Sequence, residues 1–135
     1  MNPARILLAE DNELLLELTA KMLAPLFEVV GLAGNGIDLI RKARKLTPDV
    51  IVVDINMPLM TGIEAVHELQ QSGSSAGFVF LTVHQECEFL QTCLEEDALG
   101  YVIKSHMKAD LIPAIHAAMA GERFVSPSLS MSDAP

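Results

Sequence analysis

Val50-Ile51-Val52-Val53-Asp54-Ile55-Asn56-Met57-Pro58 decides the fold of this 135-residue chain. Four β-branched residues run without alternation and stop at an acid. A strand with one wet face alternates apolar and polar side chains, whereas a strand covered on both faces does not. Three other runs behave alike. Ile6-Leu7-Leu8-Ala9 stops at Glu10-Asp11, Phe78-Val79-Phe80-Leu81 at Thr82, and Gly100-Tyr101-Val102-Ile103 at Lys104. Strands of this kind belong to a parallel sheet between two layers of helices. All its strands point one way, so the residues that end them meet at one edge, where such sheets bind ligands.

Outward from this stretch, strands at 5–9, 28–33, 50–54, 78–82 and 100–103 alternate with helices near 13–25, 36–46, 62–72, 85–96 and 107–120. Five βα repeats with right-handed crossovers predict a doubly wound α/β fold. Thr61-Gly62-Ile63-Glu64 has the spacing of a capping box. Asn12 or Asp11 caps the first helix, whose apolar stripe is Leu15, Leu18 and Met22. Leu111, Ile112, Ile115, Ala118 and Met119 form the stripe of the last helix. Pro48 and Gly121 sit where terminators belong. Ser72-Gly73-Ser74-Ser75-Ala76-Gly77 reads as a loop. The tail 126–135, with four Ser and two Pro, reads as a linker, which leaves one domain over 1–125.

Half the residues are hydrophobic and the net charge is -9, a folded and acidic domain. That charge repels phosphate backbones, so this segment is not expected to bind nucleic acid. No apolar run approaches the roughly 20 residues that span a bilayer. Met1-Asn2-Pro3-Ala4-Arg5 leads straight into a strand and is unlike a secretory signal, so the expected location is the cytoplasm. Cys87 and Cys93, six apart on a helix-like stretch, would lie about 9 Å apart along the axis and read as reduced thiols. The histidines His67, His84, His106 and His116 show no metal spacing, and His84 falls near the pocket mouth. Met57, Met60, Met107 and Met119 read as packing residues.

The five strand-ending residues form a chemical set. Asp54 alone would read as the cap of a turn-rich segment. Glu10 and Asp11 alone would favour the positive end of a helix. Together, three carboxylates crowd one another and call for a cation. Mg²⁺ suits hard oxygen ligands, retained water and a phosphate ligand. Asp54 is then a nucleophile for a phosphoryl group, with the Thr82 hydroxyl and the Lys104 ammonium beside its oxygens. Lys104 can pair with Asp54 at rest.

Leu8-Ala9-Glu10-Asp11-Asn12, Val52-Val53-Asp54-Ile55-Asn56-Met57-Pro58, Thr61-Gly62, Leu81-Thr82 and Gly100-Tyr101-Val102-Ile103-Lys104 occur in this order. With them, residues 4–121 resemble the receiver domain of bacterial two-component response regulators. The stretch from Lys108 to Pro127, with Gly121-Glu122-Arg123-Phe124-Val125-Ser126-Pro127, resembles the NarL/FixJ subfamily, whose receivers precede a helix-turn-helix DNA-binding domain. The resemblance implies a flavodoxin-like (CheY-like) fold: a five-stranded parallel sheet in the order 2-1-3-4-5 with five helices. It implies that Asp54 accepts a phosphoryl group from a histidine kinase. Mg²⁺ would be held by Glu10, Asp11, Asp54 and the backbone carbonyl of Asn56. Thr82 and Lys104 would contact the phosphoryl oxygens, and Tyr101 would follow the state of Thr82. The output face would be the helix near 85–96, the strand 100–103 and the helix 107–120, forming a homodimer once phosphorylated. DNA would be reached through a further C-terminal domain, with a stand-alone receiver as the alternative. The chain would be a switch and not an enzyme, apart from its own phosphorylation and slow self-hydrolysis. Two positions depart from the family pattern: Val83 stands where a small residue is common, and Ser105 where a cis proline is frequent. Asp54-Ile55-Asn56 also resembles the Asp-x-Asp motif of haloacid dehalogenase phosphatases. That family needs an acid at the place of Asn56, the motif on its first strand and a longer chain. An interaction module with a dead site is a third reading, at odds with the complete five-residue set.

Overall fold

In a computed structural model the described residues are 3–83 and 100–126. The strands are β1 (Arg5–Ala9), β2 (Glu28–Ala33), β3 (Val50–Asp54), β4 (Gly77–Thr82), β5 (Gly100–Ile103) and β6 (Phe124–Val125). The helices are α1 (Glu13–Leu23), α2 (Gly36–Leu46), α3 (Gly62–Gln71) and α4 (Met107–Met119). All strand pairs are parallel, in the order β2-β1-β3-β4-β5-β6. The first five follow the expected order 2-1-3-4-5. The expected count of five is corrected to six, because Phe124 and Val125 pair with Gly100 and Tyr101. Two residues are too short to stand out as a strand in sequence. The packed fold also reaches one residue past the expected boundary at 125, since Ser126 is fully buried. Of the five expected helices four are described; the helix near 85–96, with Cys87, Cys93 and His84, lies outside the described residues.

The central strand β3 is buried from Val50 to Asp54, as an unbroken apolar run requires. Its alternate residues feed two cores. Ile51 and Val53 pack with Leu39, Val66, Leu69, Phe80 and Tyr101 beneath α2 and α3. Val50 and Val52 pack with Leu8, Leu23, Val79, Leu111 and Ile115 beneath α1 and α4. Fully burying one such side chain contributes roughly 1.5–3 kcal/mol, so the two layers carry most of the favourable energy. The caps match the sequence. Asn12 accepts from the Leu15 N–H, and Thr61 and Glu64 close a reciprocal capping box. Gly121 ends the α4 region at φ +73.

Two apolar stripes differ from expectation. α1 buries Thr19 and Leu23, half-buries Leu15 and packs Leu16 and the expected Met22 against the core, while Leu18 is 53% exposed. The run Leu14-Leu15-Leu16 offers three phases, and the sheet selected the one through Leu16. On α4 the buried face is Leu111, Ala114, Ile115 and Ala118, and Met119 turns outward rather than packing. Pro113 is accommodated on the exposed side of that helix.

Candidate functional site

Register brings the polar residues together. Ala9 of β1 lies opposite Val53, so Glu10 follows beside Asp54. Asp54 lies opposite Leu81, and Thr82 is the next residue. Thr82 lies opposite Ile103, and Lys104 is the next residue. Four strands thus end level, and their terminal side chains share one edge. The main chain is fixed as firmly: Glu10 N–H donates to Ala33 O at 2.9 Å and Ile55 N–H to Leu81 O at 3.0 Å.

Carboxylate oxygens of Glu10, Asp11 and Asp54 all lie within 4.8 Å of one another. Glu10 and Asp54 are buried, and Asp11 is exposed at the rim. The Lys104 ammonium lies 2.7 Å from Glu10 Oε1 and 3.0 Å from Asp54 Oδ2. The sequence suggested Asp54 as its resting partner; the structure adds Glu10, at the shorter distance. Asp54 Oδ1 accepts the Asn56 N–H at 3.1 Å, which orients the carboxylate. Thr82 is fully buried at the end of β4. Tyr101 is buried among Phe80, Ile103 and Val125, in register with Phe80 two residues before Thr82. Val83 is 63% exposed directly after Thr82.

The electrostatics follow from this crowding. Burial pushes the Glu10 carboxyl up to about 8; the hydrogen bond with Asp54 adds to the rise, and Lys104 opposes it. Burial works against the Lys104 ammonium, but its bonds to Glu10 and Asp54 outweigh burial and hold it above the usual lysine range. Among the described residues one lysine thus pairs with two buried acids, and a third acid lies at the rim. The residues present fit a divalent cation, which would balance the acid that Lys104 leaves uncompensated.

The loop after β3 is pinned from below. Gly62 N–H donates to Ile55 O at 2.8 Å. A Cβ on Gly62 would stand 2.2 Å from the Asp54 carbonyl oxygen, so only glycine permits α3 to start this close to the acid. The sequence marked Gly62 as part of a motif without this reason. Among the described residues a cavity of about 700 Å³ lies between α2 and α3, lined by Ile37, Ile40, Arg41 and Met60 among others. It contains none of the five strand-ending residues.

Comparison with known proteins agrees with this geometry. Residues 6–116 match the family model of the response regulator receiver domain. The nitrate/nitrite response regulator protein NarL of Escherichia coli K12 is 38% identical over 130 residues, covering 95% of this chain and 60% of NarL. Response regulator GacA of Pseudomonas viridiflava is 35% identical over 128 residues, covering 93% of this chain and 60% of GacA. The chain therefore spans about 60% of the length of these relatives. Among solved structures, a LuxR-family two-component response regulator from Aurantimonas sp. SI85-9A1 superposes with a TM-score of 0.89 at 35% identity, covering 95% of this chain and 93% of that one. The isolated receiver domain of RcsB from Salmonella enterica serovar Typhimurium, solved with the phosphomimetic BeF3-, gives 0.86 at 26% identity, covering 95% and 96%. This chain belongs to the receiver domains of two-component response regulators.

Proposed function

We propose that Asp54 is the phosphoacceptor, taking a phosphoryl group from the phosphohistidine of a histidine kinase. The observation that supports it most is a buried carboxylate held by Asn56 N–H on one oxygen and by Lys104 on the other, with Thr82 one residue beyond its strand partner Leu81. An Asp54 oxygen attacks phosphorus; the P–N bond breaks, and its electron pair returns to the imidazole of the kinase. Lys104 faces the negative charge that gathers on the phosphoryl oxygens, and the Thr82 hydroxyl donates to one of them. Glu10, Asp11, Asp54 and the Asn56 carbonyl would hold Mg²⁺, which when bound spreads the charge of the phosphoryl oxygens. The test is labelling with acetyl phosphate. One equivalent of acid-stable, base-labile phosphate supports the reading; steady turnover of a small phosphoester would instead favour a haloacid dehalogenase-like phosphatase.

The location proposed is the cytoplasm, where histidine kinases present their phosphohistidine; no described helix is long and apolar enough to cross a membrane. The output is transcription, through a further C-terminal domain, in keeping with a chain that spans about 60% of the length of NarL and GacA; a stand-alone receiver is the alternative. Thr82 and Tyr101 form the switch, and the face built on β5, α4 and the helix expected near 85–96 forms a homodimer once Asp54 is phosphorylated. Beryllofluoride should raise the sedimentation coefficient and shift the amides of Tyr101 and α4. Changes confined to α1 and α2, with Tyr101 unmoved, would sink this assignment. Val83 should shield the aspartyl phosphate, because attacking water must approach in line with the phosphorus. Val83→Ala is expected to shorten the phosphate's lifetime; a lifetime equal to or longer than wild type would count against it.

A further inference from the structure

We propose that Ser126 and Asp110 are positioning residues for Lys104, holding the end of β5 from which its ammonium reaches the carboxylates. The proposal rests on the phosphoacceptor reading of Asp54. Strand β6 ends at Val125, level with Tyr101. The next bond continues the ladder: Ser126 N–H donates to Tyr101 O at 2.9 Å. In a regular parallel ladder the N–H of Ile103 would then donate to a main-chain carbonyl. It donates instead to the Ser126 hydroxyl, Oγ, at 3.1 Å. A carbonyl only accepts, whereas a hydroxyl also carries a proton. That proton is donated to Asp110 Oδ2 at 2.7 Å. Asp110 lies in the first turn of α4.

One oxygen atom therefore ties both flanks of Lys104. On one side is Ile103, the residue before it. On the other is α4, joined to Lys104 by a single 3-10 turn (Lys104–His106) in which the Lys104 carbonyl accepts the Met107 N–H. Ile103 is 1%, Ser126 0% and Asp110 9% exposed, so none of these groups can turn to water without a cost. Removing the hydroxyl leaves a buried N–H and a buried carboxylate in search of partners. The end of β5 and the start of α4 must shift to satisfy them. Lys104 spans Glu10 and Asp54 at 2.7 and 3.0 Å, and a shift of about 1 Å is enough to misplace it.

The test is a double-mutant cycle on acetyl phosphate labelling in the presence of Mg²⁺. Ser126→Ala is expected to slow labelling about tenfold. In a Lys104→Gln background the same change should have less than about a twofold effect, because its route to the chemistry is already gone. Asp110→Asn keeps an acceptor for the serine proton and should label at close to the wild-type rate. Asp110→Ala should reproduce the slow phenotype and serves as the second probe if Ser126→Ala does not fold. Wild-type rates in both Ser126→Ala and Asp110→Ala overturn the proposal. So does a tenfold loss that persists without Lys104, which would mean that Ser126 acts on folding alone. Failure of the phosphoacceptor reading looks different: labelling would then survive Asp54→Asn.

Discussion

Asp54→Asn should abolish labelling by acetyl phosphate while leaving the domain folded. The substitution changes one oxygen to an amide nitrogen and preserves shape. Its remaining oxygen can still accept the Asn56 N–H that Asp54 Oδ1 accepts at 3.1 Å. What disappears is the anionic oxygen proposed to attack phosphorus, and among the described residues no other acid is placed to replace it. Glu10 carries a raised pKa, because burial and the neighbouring Asp54 disfavour its charge. Asp11 is exposed at the rim, outside the grip of Lys104 and Asn56. Loss of the Asp54 charge also removes a cause of the Glu10 displacement, so the variant should melt at or above the wild-type temperature. The measurement is incorporated phosphate per chain after saturating exposure, together with a thermal melt. Undiminished incorporation on Asp54→Asn, at whatever residue, refutes the assignment.

The sequence revealed the fold and the acidic edge for one physical reason. Doubly buried strands have to be apolar throughout, so a polar residue that ends such a strand is visible as a break. Glu10, Asp54, Thr82 and Lys104 each stand at such a break, and parallel register does the rest. Ser126 gave no comparable signal. It sits in a Ser- and Pro-containing stretch that reads as a linker, and its burial depends on a two-residue strand and on Asp110. A ladder bond completed by a side chain has no period to detect. Leu18 and Met119 were misassigned for a related reason: leucine-rich or apolar helices offer several phases, and only the sheet they pack on selects one. The second partner of Lys104 was hidden differently. Sequence shows that Glu10 and Asp54 both reach the edge, but the preference of the ammonium for one over the other is a matter of tenths of an ångström.

Removing Mg²⁺ should suppress labelling by roughly two orders of magnitude, since a bound divalent ion contributes several kcal/mol of charge stabilisation in phosphoryl transfer. The carboxylates give this expectation a sign in pH. In the metal-free fold the Glu10 carboxyl rises from 4.5 to about 8, because burial and Asp54 disfavour its charge. The unfolded chain gives up this proton near pH 4.5 and the folded chain near pH 8. Across that interval unfolding releases a proton, so rising pH takes stability from the metal-free domain; above about 8 this group adds no further change. Mg²⁺ reverses the balance, because a carboxylate ligand must shed its proton to bind. Mg²⁺ affinity should therefore rise from pH 6 toward pH 8, by up to about tenfold per unit for one displaced proton. Asp11→Ala should weaken Mg²⁺ by at least the roughly 10- to 100-fold typical of losing an outer-shell partner, without destabilising the metal-free fold. Calorimetric titrations at pH 6, 7 and 8, with labelling rates in Mg²⁺ and in excess EDTA, separate these effects. Equal labelling rates with and without the chelator would remove the metal from the mechanism. A pH-independent affinity would instead remove Glu10 from the set of groups the ion displaces a proton from, leaving Asp11 and Asp54 to hold it.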